Sequence, residues 1–291
     1  MLDNTAENDI ARFIGRSTLD VTNQQTVGVD AALDYPLFSV LKPVVKGLAA
    51  PTTVIGMYDQ RKTAEADIVS SHGDATRFFV TFLDNHDMKE RIRYEAPGNP
   101  AEFDDQVTLG LACLFTLPGI PCIYYGTEQG LHGAGSDPAV REAIWGQTGF
   151  PATSRFYLAI QQLSALRGSE PALRYGRYYF RQLSGDQAHF GFSSSNGGVL
   201  AWSRILADQE RTIIANTSTT AQQNLSVVVD ATLAGTGTPR LLYSNKTPAA
   251  GPGPIATLPD VVVTQDDGTT SLGAATVPVS LQPMEIQILS C

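Results

Sequence analysis

The sequence predicts an α/β region followed by an all-β region, and three observations carry this prediction. Residues 77–87 and 120–125 read as two buried strands, and residues 104–117 between them read as a helix. Beyond about Glu170 the sequence changes to short β-rich runs separated by Gly, Pro, Asn and Ser. The length of 291 residues fits two medium-sized domains. We therefore expect two domains, at residues 1–170 and 171–291.

The strand–helix–strand order predicts a parallel β/α unit in the first region. The first strand, in RFFVTFLDNHD, begins with consecutive aromatic and β-branched residues and ends in polar ones. The helix begins with Asp104 and Asp105, whose charges favour a helix N-terminus. An earlier strand is expected within residues 28–38, leading into a loop at Pro36, and a helical segment broken at Pro43 follows. In a parallel sheet the polar strand ends meet at the same edge.

The second region predicts an antiparallel β-sandwich. Its β-rich runs are YGRYYFRQL, VLAWSRIL, RTIIANTS, LSVVVDA and MEIQILS. Short strands separated by turn residues are typical of sandwiches. The Pro- and Gly-rich stretch at residues 247–259 is expected to be a loop within this domain.

Charge and composition narrow the classes of function. The formal net charge of −9 disfavours nucleic acid and anionic membrane surfaces as partners, and a neutral substrate suits the chain better. No apolar run reaches the roughly 18 residues of a membrane span. The four histidines lack the spacing of a transition-metal site, so we expect no metal ligands.

The polar cluster at residues 82–87, FLDNHD, is the strongest candidate for chemistry. A carboxylate and an imidazole side by side at the mouth of a parallel sheet can bind sugar hydroxyls. They can also stabilise the positive charge that develops on an oxocarbenium-like carbon. The alternative is a structural turn in which Asp87 caps a following helix. The residues alone leave both interpretations open.

Four motifs in the same order resemble the α-amylase family, glycoside hydrolase family thirteen. FLDNHD resembles the family's fourth sequence region, and GIPCIYYGTEQGL, at 119–131, resembles its eighth strand. SDPAVR, at 136–141, resembles a loop that contacts the donor sugar, and residues 154–176 resemble the last barrel helix and the entry to the C-terminal domain. The resemblance implies part of a (β/α)8 TIM barrel, strands six to eight, followed by a β-sandwich.

The resemblance also implies roles for individual residues. Asp87 corresponds to a third catalytic carboxylate, which holds and distorts the sugar without bonding to it. His86 corresponds to a residue that hydrogen-bonds the same sugar. Asn85, Asp137 and Arg141 correspond to substrate-binding residues. For Asp137 and Arg141 the alternative is a surface salt bridge between positions i and i+4.

The implied function is retaining cleavage or transfer of α-1,4-glucans such as starch or maltooligosaccharides. That chemistry needs a nucleophile and a general acid about 5 Å apart. The family's Arg-x-Asp motif for the nucleophile does not occur in the chain, and Glu7 is the only early glutamate. We therefore expect little or no activity from this chain alone. The alternative is a non-catalytic fragment or glucan-binding pseudoenzyme.

The resemblance has consequences for partners, cofactors and location. Strands six to eight, matched to residues 31–37, 78–84 and 120–125, leave an open sheet that a second copy of the chain or the N-terminal half of the barrel can cover. No cofactor is expected here, and the Ca2+ ion of complete family members draws its main ligands from the other half. The family is often secreted, but the first residues lack the features of a signal peptide, which leaves the location open.

Overall fold

The computed structural model describes residues 10, 18–20, 22, 25–27, 31–64, 75–145, 149–235, 237–264 and 269–291. Glu7 lies outside the described residues. No helix in the described part of the chain has the length and apolar character needed to cross a membrane.

The first part of the chain contains short strands and longer helices. In chain order its elements are β1 (Thr18–Asp20), β2 (Gln25–Val27), β3 (Ala32–Leu33), α1 (Tyr35–Val45), α2 (Thr52–Ala64), a 3-10 turn (Ala75–Phe78), β4 (Phe79–Thr81), α3 (Asp104–Thr116), β5 (Ile120–Pro121), a second 3-10 turn (Thr127–Gln129), α4 (Asp137–Val140), α5 (Arg155–Ser169) and α6 (Pro171–Tyr175). Strands β1 and β2 form an antiparallel hairpin.

Strands β3, β4 and β5 form the predicted parallel sheet, in that spatial order. The strands are shorter than the apolar runs that predicted them. One face carries Phe79 and Thr81, both fully buried. The register places Leu33, Val80 and Ile120 in one row on the other face, where Leu33 and Ile120 are 46% and 47% exposed. As far as the described residues go, the sheet is therefore covered on one side and half exposed on the other, which we call its open face.

Two sequence interpretations in this region are wrong, and both concern prolines. The loop predicted at Pro36 and the break predicted at Pro43 both fall within the continuous helix α1. Pro36 lies in the first turn, where a missing N–H costs no hydrogen bond, and the Asp34 carboxylate caps the helix by accepting from the backbone N of Leu37 at 3.0 Å. Pro43 is an interior proline, and we attribute its tolerance to tertiary packing, since Leu41 and neighbouring apolar residues are fully buried.

The second part of the chain is a two-sheet antiparallel sandwich, as predicted. Its strands are β6 (Arg177–Phe180), β7 (Leu183–Ser184), β8 (Val199–Leu206), β9 (Gln209–Asn216), β10 (Gln223–Val229), β11 (Arg240–Ser244), β12 (Ala256–Thr264), β13 (Thr270–Leu281) and β14 (Ile286–Ser290). One sheet has the order β11-β14-β9-β8-β6, and the other has the order β12-β13-β10-β7.

The predicted loop at residues 247–259 is partly wrong, because β12 begins at Ala256. Among the described residues, strand β12 pairs only with β13, and its register shifts between Leu258 and Val262. Pro259 lies within that shift. An edge position and an irregular register both tolerate a residue without an N–H, which explains why a Pro-containing segment forms a strand here.

The five-stranded sheet is buried on both faces. Alternate residues of β8 point in opposite directions: Val199 and Ala201 pack against the four-stranded sheet, whereas Leu200 and Trp202 join the core of the helical part. Arg204, also in β8, donates to the carbonyl oxygens of Thr116 and Gly176 at 2.8 and 2.9 Å. The predicted domain boundary at residue 170 is thus crossed by a shared core.

Candidate functional site

The loops that follow β4 and β5 meet at the carboxyl edge of the parallel sheet. Asp84 lies just beyond β4 and is 5% exposed. Its Oδ1 accepts a hydrogen bond from the backbone N of Ile92 at 2.5 Å, and its Oδ2 accepts one from Oγ1 of Thr127 at 3.3 Å. Burial raises the pKa of the Asp84 carboxyl, while the nearby charges of Lys42 and Arg91 act in the opposite direction.

The predicted pair of His86 and Asp87 lies at the open end of this loop. Nε2 of His86 is 3.2 Å from Oδ2 of Asp87, and their side chains are 64% and 56% exposed. Asn85 holds the turn, since its Oδ1 accepts from the backbone N of Asp87 at 2.7 Å. Residues 75–145 are described throughout, and within them no helix begins between β4 and α3. The alternative in which Asp87 caps a following helix is therefore wrong.

Arg141 joins the two loops. Its Nε donates to the carbonyl oxygen of His86 at 2.9 Å, and its Nη2 donates to Oδ1 of Asp87 at 3.1 Å. The alternative of an i, i+4 salt bridge with Asp137 is wrong, because α4 ends at Val140 and Arg141 turns toward the other loop. Asp137 is exposed, and its side chain makes no hydrogen bond or ion pair within the described residues. The structure thus brings together all the predicted site residues except Asp137.

Arg91 supports the site from beneath and was not predicted. Its side chain is buried and donates to the carbonyl oxygens of Tyr125 and Val140 at 2.9 and 3.0 Å. Its Nε lies 2.5 Å from Oε2 of Glu142, as an ion pair without the alignment of a hydrogen bond. The guanidinium also lies over the ring of Tyr124, 4.6 Å from its centroid. Arg91 therefore fixes the segment that carries Arg141.

The exposed side chains at the edge can exchange hydrogen bonds with a polar ligand. An exposed carboxylate accepts hydrogen bonds, a guanidinium donates them, and an imidazole does either according to its tautomer. Within the described residues, no three His, Cys, Asp or Glu side chains come together as potential metal ligands.

A parallel sheet with polar loops at the carboxyl ends of its strands, followed by a β-sandwich, fits part of a (β/α)8 barrel, in which sites lie at that end of the strands. Residues 22–181 of the sequence match the family described as alpha amylase, catalytic domain. This match covers more than half of the chain, and the chain belongs to the α-amylase family.

Individual relatives support the assignment over part of their length. Cyclomaltodextrin glucanotransferase of Geobacillus stearothermophilus is 35% identical over 162 residues, which are 56% of this chain and 20% of that enzyme. Alpha-amylase of Niallia circulans is 31% identical over 176 residues, which are 60% of this chain and 30% of that enzyme. The chain thus spans less than a third of the length of either relative.

Solved structures show the fold. The γ-cyclodextrin glucanotransferase of alkalophilic Bacillus clarkii superimposes with a TM-score of 0.61 at 21% identity, covering 100% of this chain and 35% of that one. An Anoxybacillus alpha-amylase gives a TM-score of 0.60 at 22% identity, covering 99% of this chain and 56% of that one. The predicted fold class, a partial TIM barrel followed by a β-sandwich, is confirmed.

Proposed function

We propose that the chain is the C-terminal part of an α-amylase-type glycoside hydrolase that acts on α-1,4-glucans. In this assignment β3, β4 and β5 are barrel strands six to eight. Residues 1–170 belong to the barrel, and residues 171–291 form the C-terminal sandwich. One observation carries the proposal: Arg141, from one family-like motif, contacts His86 and Asp87 of another, 55 and 54 residues away. Support also comes from relatives that are named for cyclodextrin formation and starch cleavage.

The exposed side chains suit the proposed sugar-binding roles. In the proposal, Asp87 accepts hydrogen bonds from adjacent hydroxyls of one glucose unit, and His86 contacts the same unit. Asn85 keeps both in place through its contact with the backbone N of Asp87. Arg141 and Asp137 contact a unit further along the glucan. Because Arg141 forms an ion pair with Asp87, a sugar hydroxyl that binds Asp87 must compete with this ion pair.

The proposal for this chain is glucan binding with little hydrolysis. Retaining hydrolysis needs a nucleophile and an acid about 5 Å apart at the same sugar. Asp87 fills neither role in the family resemblance. We therefore propose that the chain alone binds maltooligosaccharides, and that the bond-making carboxylates belong to the remaining part of the barrel. No cofactor enters the proposed role of this chain.

Calorimetric titration of the purified chain with maltoheptaose tests the proposal. Wild type should bind, and Asp87→Ala and Arg141→Ala should each weaken binding by about tenfold, the usual cost of one charge-assisted hydrogen bond. Asp186→Ala is the matched control, because Asp186 forms a similar exposed pair with His189 in the sandwich. Absence of binding by wild type contradicts the proposal. A starch turnover in the ordinary range of about 1 to 1,000 per second contradicts the assignment of the bond-making groups.

The open face of the parallel sheet is the surface at which we propose that a partner binds. Leu33 and Ile120 are half exposed on a face that a complete barrel encloses. We propose that the isolated chain covers this face with a second copy, and that the N-terminal half of the barrel covers it in a complete enzyme. Light scattering should show concentration-dependent association of wild type, reduced by Ile120→Lys. Strictly monomeric wild type contradicts self-association.

A further inference from the structure

We propose that Asp84 is a positioning residue, which holds the loop of residues 85–91 in the conformation that binds glucan. This inference rests on the proposed function, because it concerns the same site. Asp84 itself is buried beneath the loop and does not reach a ligand at the exposed edge. Its effect on binding must therefore act through Asn85, His86 and Asp87.

The first step of the argument is the closure of the loop. Oδ1 of Asp84 accepts from the backbone N of Ile92, eight residues further along the chain, at 2.5 Å. Ile92 is 1% exposed, so its N–H has no access to water as an alternative partner. One hydrogen bond thus joins the two ends of the loop that carries the exposed site residues.

The second step is the link to the neighbouring loop. Oδ2 of the same carboxylate accepts from Oγ1 of Thr127, at 3.3 Å, in the 3-10 turn after β5. Thr127 is 6% exposed. Asp84 therefore ties the loop after β4 to the loop after β5 beneath the surface. Arg141 ties the same two regions above it, through its contacts with His86 and Asp87.

The third step concerns the electrostatic surroundings of the Asp84 carboxylate. Burial raises the pKa of Asp84, which means that its charged form is disfavoured in the folded protein. Lys42 of α1 offsets part of this cost by its charge, and its Nζ anchors the far end of the loop by donating to the carbonyl oxygen of Glu90 at 2.7 Å. A buried charge with two directed acceptor oxygens is suited to ordering a functional loop.

Hydrogen–deuterium exchange of the full chain tests whether Asp84 holds the loop. Asp84→Ala should speed exchange in peptides of residues 85–92 by about tenfold, with peptides of the sandwich unchanged, because loss of the acceptor releases the loop locally. Thr127→Val removes one donor with little change in shape and should give a smaller acceleration. Asp84→Asn should restore slow exchange, since its amide can accept from Ile92 and donate to Thr127. Asp59→Ala, at an exposed carboxylate of α2, is the control.

Titration with maltoheptaose links the loop to the site. We expect Asp84→Ala to weaken binding by about tenfold and Asp84→Asn to recover most of it, whereas Asp59→Ala leaves it unchanged. Loop exchange in Asp84→Ala equal to that of Asp59→Ala overturns the inference, as does a uniform acceleration over the whole chain. Unchanged binding despite a loosened loop also overturns it. Absence of binding by wild type overturns the proposed function instead, and the exchange pattern still decides whether Asp84 orders the loop.

Discussion

The parallel sheet and the five-stranded sheet of the sandwich differ in how their faces are covered. The parallel sheet has strands of two or three residues and leaves Leu33 and Ile120 half exposed on one face. The five-stranded sheet has strands of four to eight residues, and it packs on helices with one face and on the second sheet with the other. Both sheets lie in one chain, yet only one of them has both faces buried.

The carboxylates of Glu210 and Asp87 differ in the same way. In the sandwich the buried carboxylate of Glu210 accepts from Arg181 at 2.7 Å, from Ser203 at 2.5 Å and from the backbone N of Asp230 at 2.9 Å. At the edge of the parallel sheet, Asp87 and His86 remain largely in water. The comparison teaches that the shared core contributes most to stability, whereas the open edge carries polar side chains that water can reach.

The largest expected effect comes from the shared core. Trp202→Ala removes a fully buried indole between the five-stranded sheet and the helices, and should lower the free energy of unfolding by about 3–5 kcal/mol. Trp145→Ala is the matched control, because Trp145 is 88% exposed. It should change stability by less than about 0.5 kcal/mol. Urea denaturation measures the free energy of unfolding of both variants. Equal losses in the two would contradict the view that the shared core contributes most to stability.

A smaller effect is expected from Lys42, beneath the open edge. Burial lowers the pKa of Lys42 to about 8, below its ordinary value of 10.5. Between these pH values the unfolded chain binds more protons, so this residue's contribution to stability rises with pH from about 8 to 10.5. The unfolding free energy of wild type relative to Lys42→Met should therefore increase over this window, by at most about 3–4 kcal/mol. Urea denaturation at several pH values checks it, and a constant difference would refute it.

The smallest effect on stability is expected at the open edge itself. Arg141→Ala removes an exposed ion pair and should change the unfolding free energy by less than about 1 kcal/mol. Arg155→Ala removes a comparable ion pair with Asp105 away from the edge and should have a similarly small effect. Thermal melts of the two variants measure whether their losses of stability are equally small. A large loss of stability in Arg141→Ala alone would show that the contacts of Arg141 at the edge also stabilise the fold.

The order of elements could be predicted because periodicity is a local property. The runs at residues 77–87 and 104–117 contain their own strand and helix patterns, and both elements are present. The strand lengths could not be predicted, because pairing partners determine where a strand ends. Ile123 continues the apolar run after β5, but no strand in the described part of the chain pairs with it. Pro36 misled the prediction, since proline favours both a loop and a first helical turn.

The site could be predicted only where a motif marks it. The contact between Arg141 and Asp87 joins two such motifs, and the sequence interpretation had named both residues. No motif in the sequence identifies Arg91 as a site residue. Two of its partners are backbone carbonyl oxygens, 34 and 49 residues away. Any residue type at those positions offers the same carbonyl group. Support of this kind is therefore visible only in three dimensions.

The position of β14 bears on how the protein is made. Residues Ile286–Ser290 come after every other strand in sequence, yet they lie between β9 and β11 in the five-stranded sheet. During synthesis the ribosome releases these residues after the helices and the other strands have emerged, at about 5–20 residues per second. Until then β9 and β11 have no strand between them, and the helices lack Ile286 and Ile288 from their core. The nascent chain therefore has an apolar face uncovered until β14 has emerged and paired with β9 and β11.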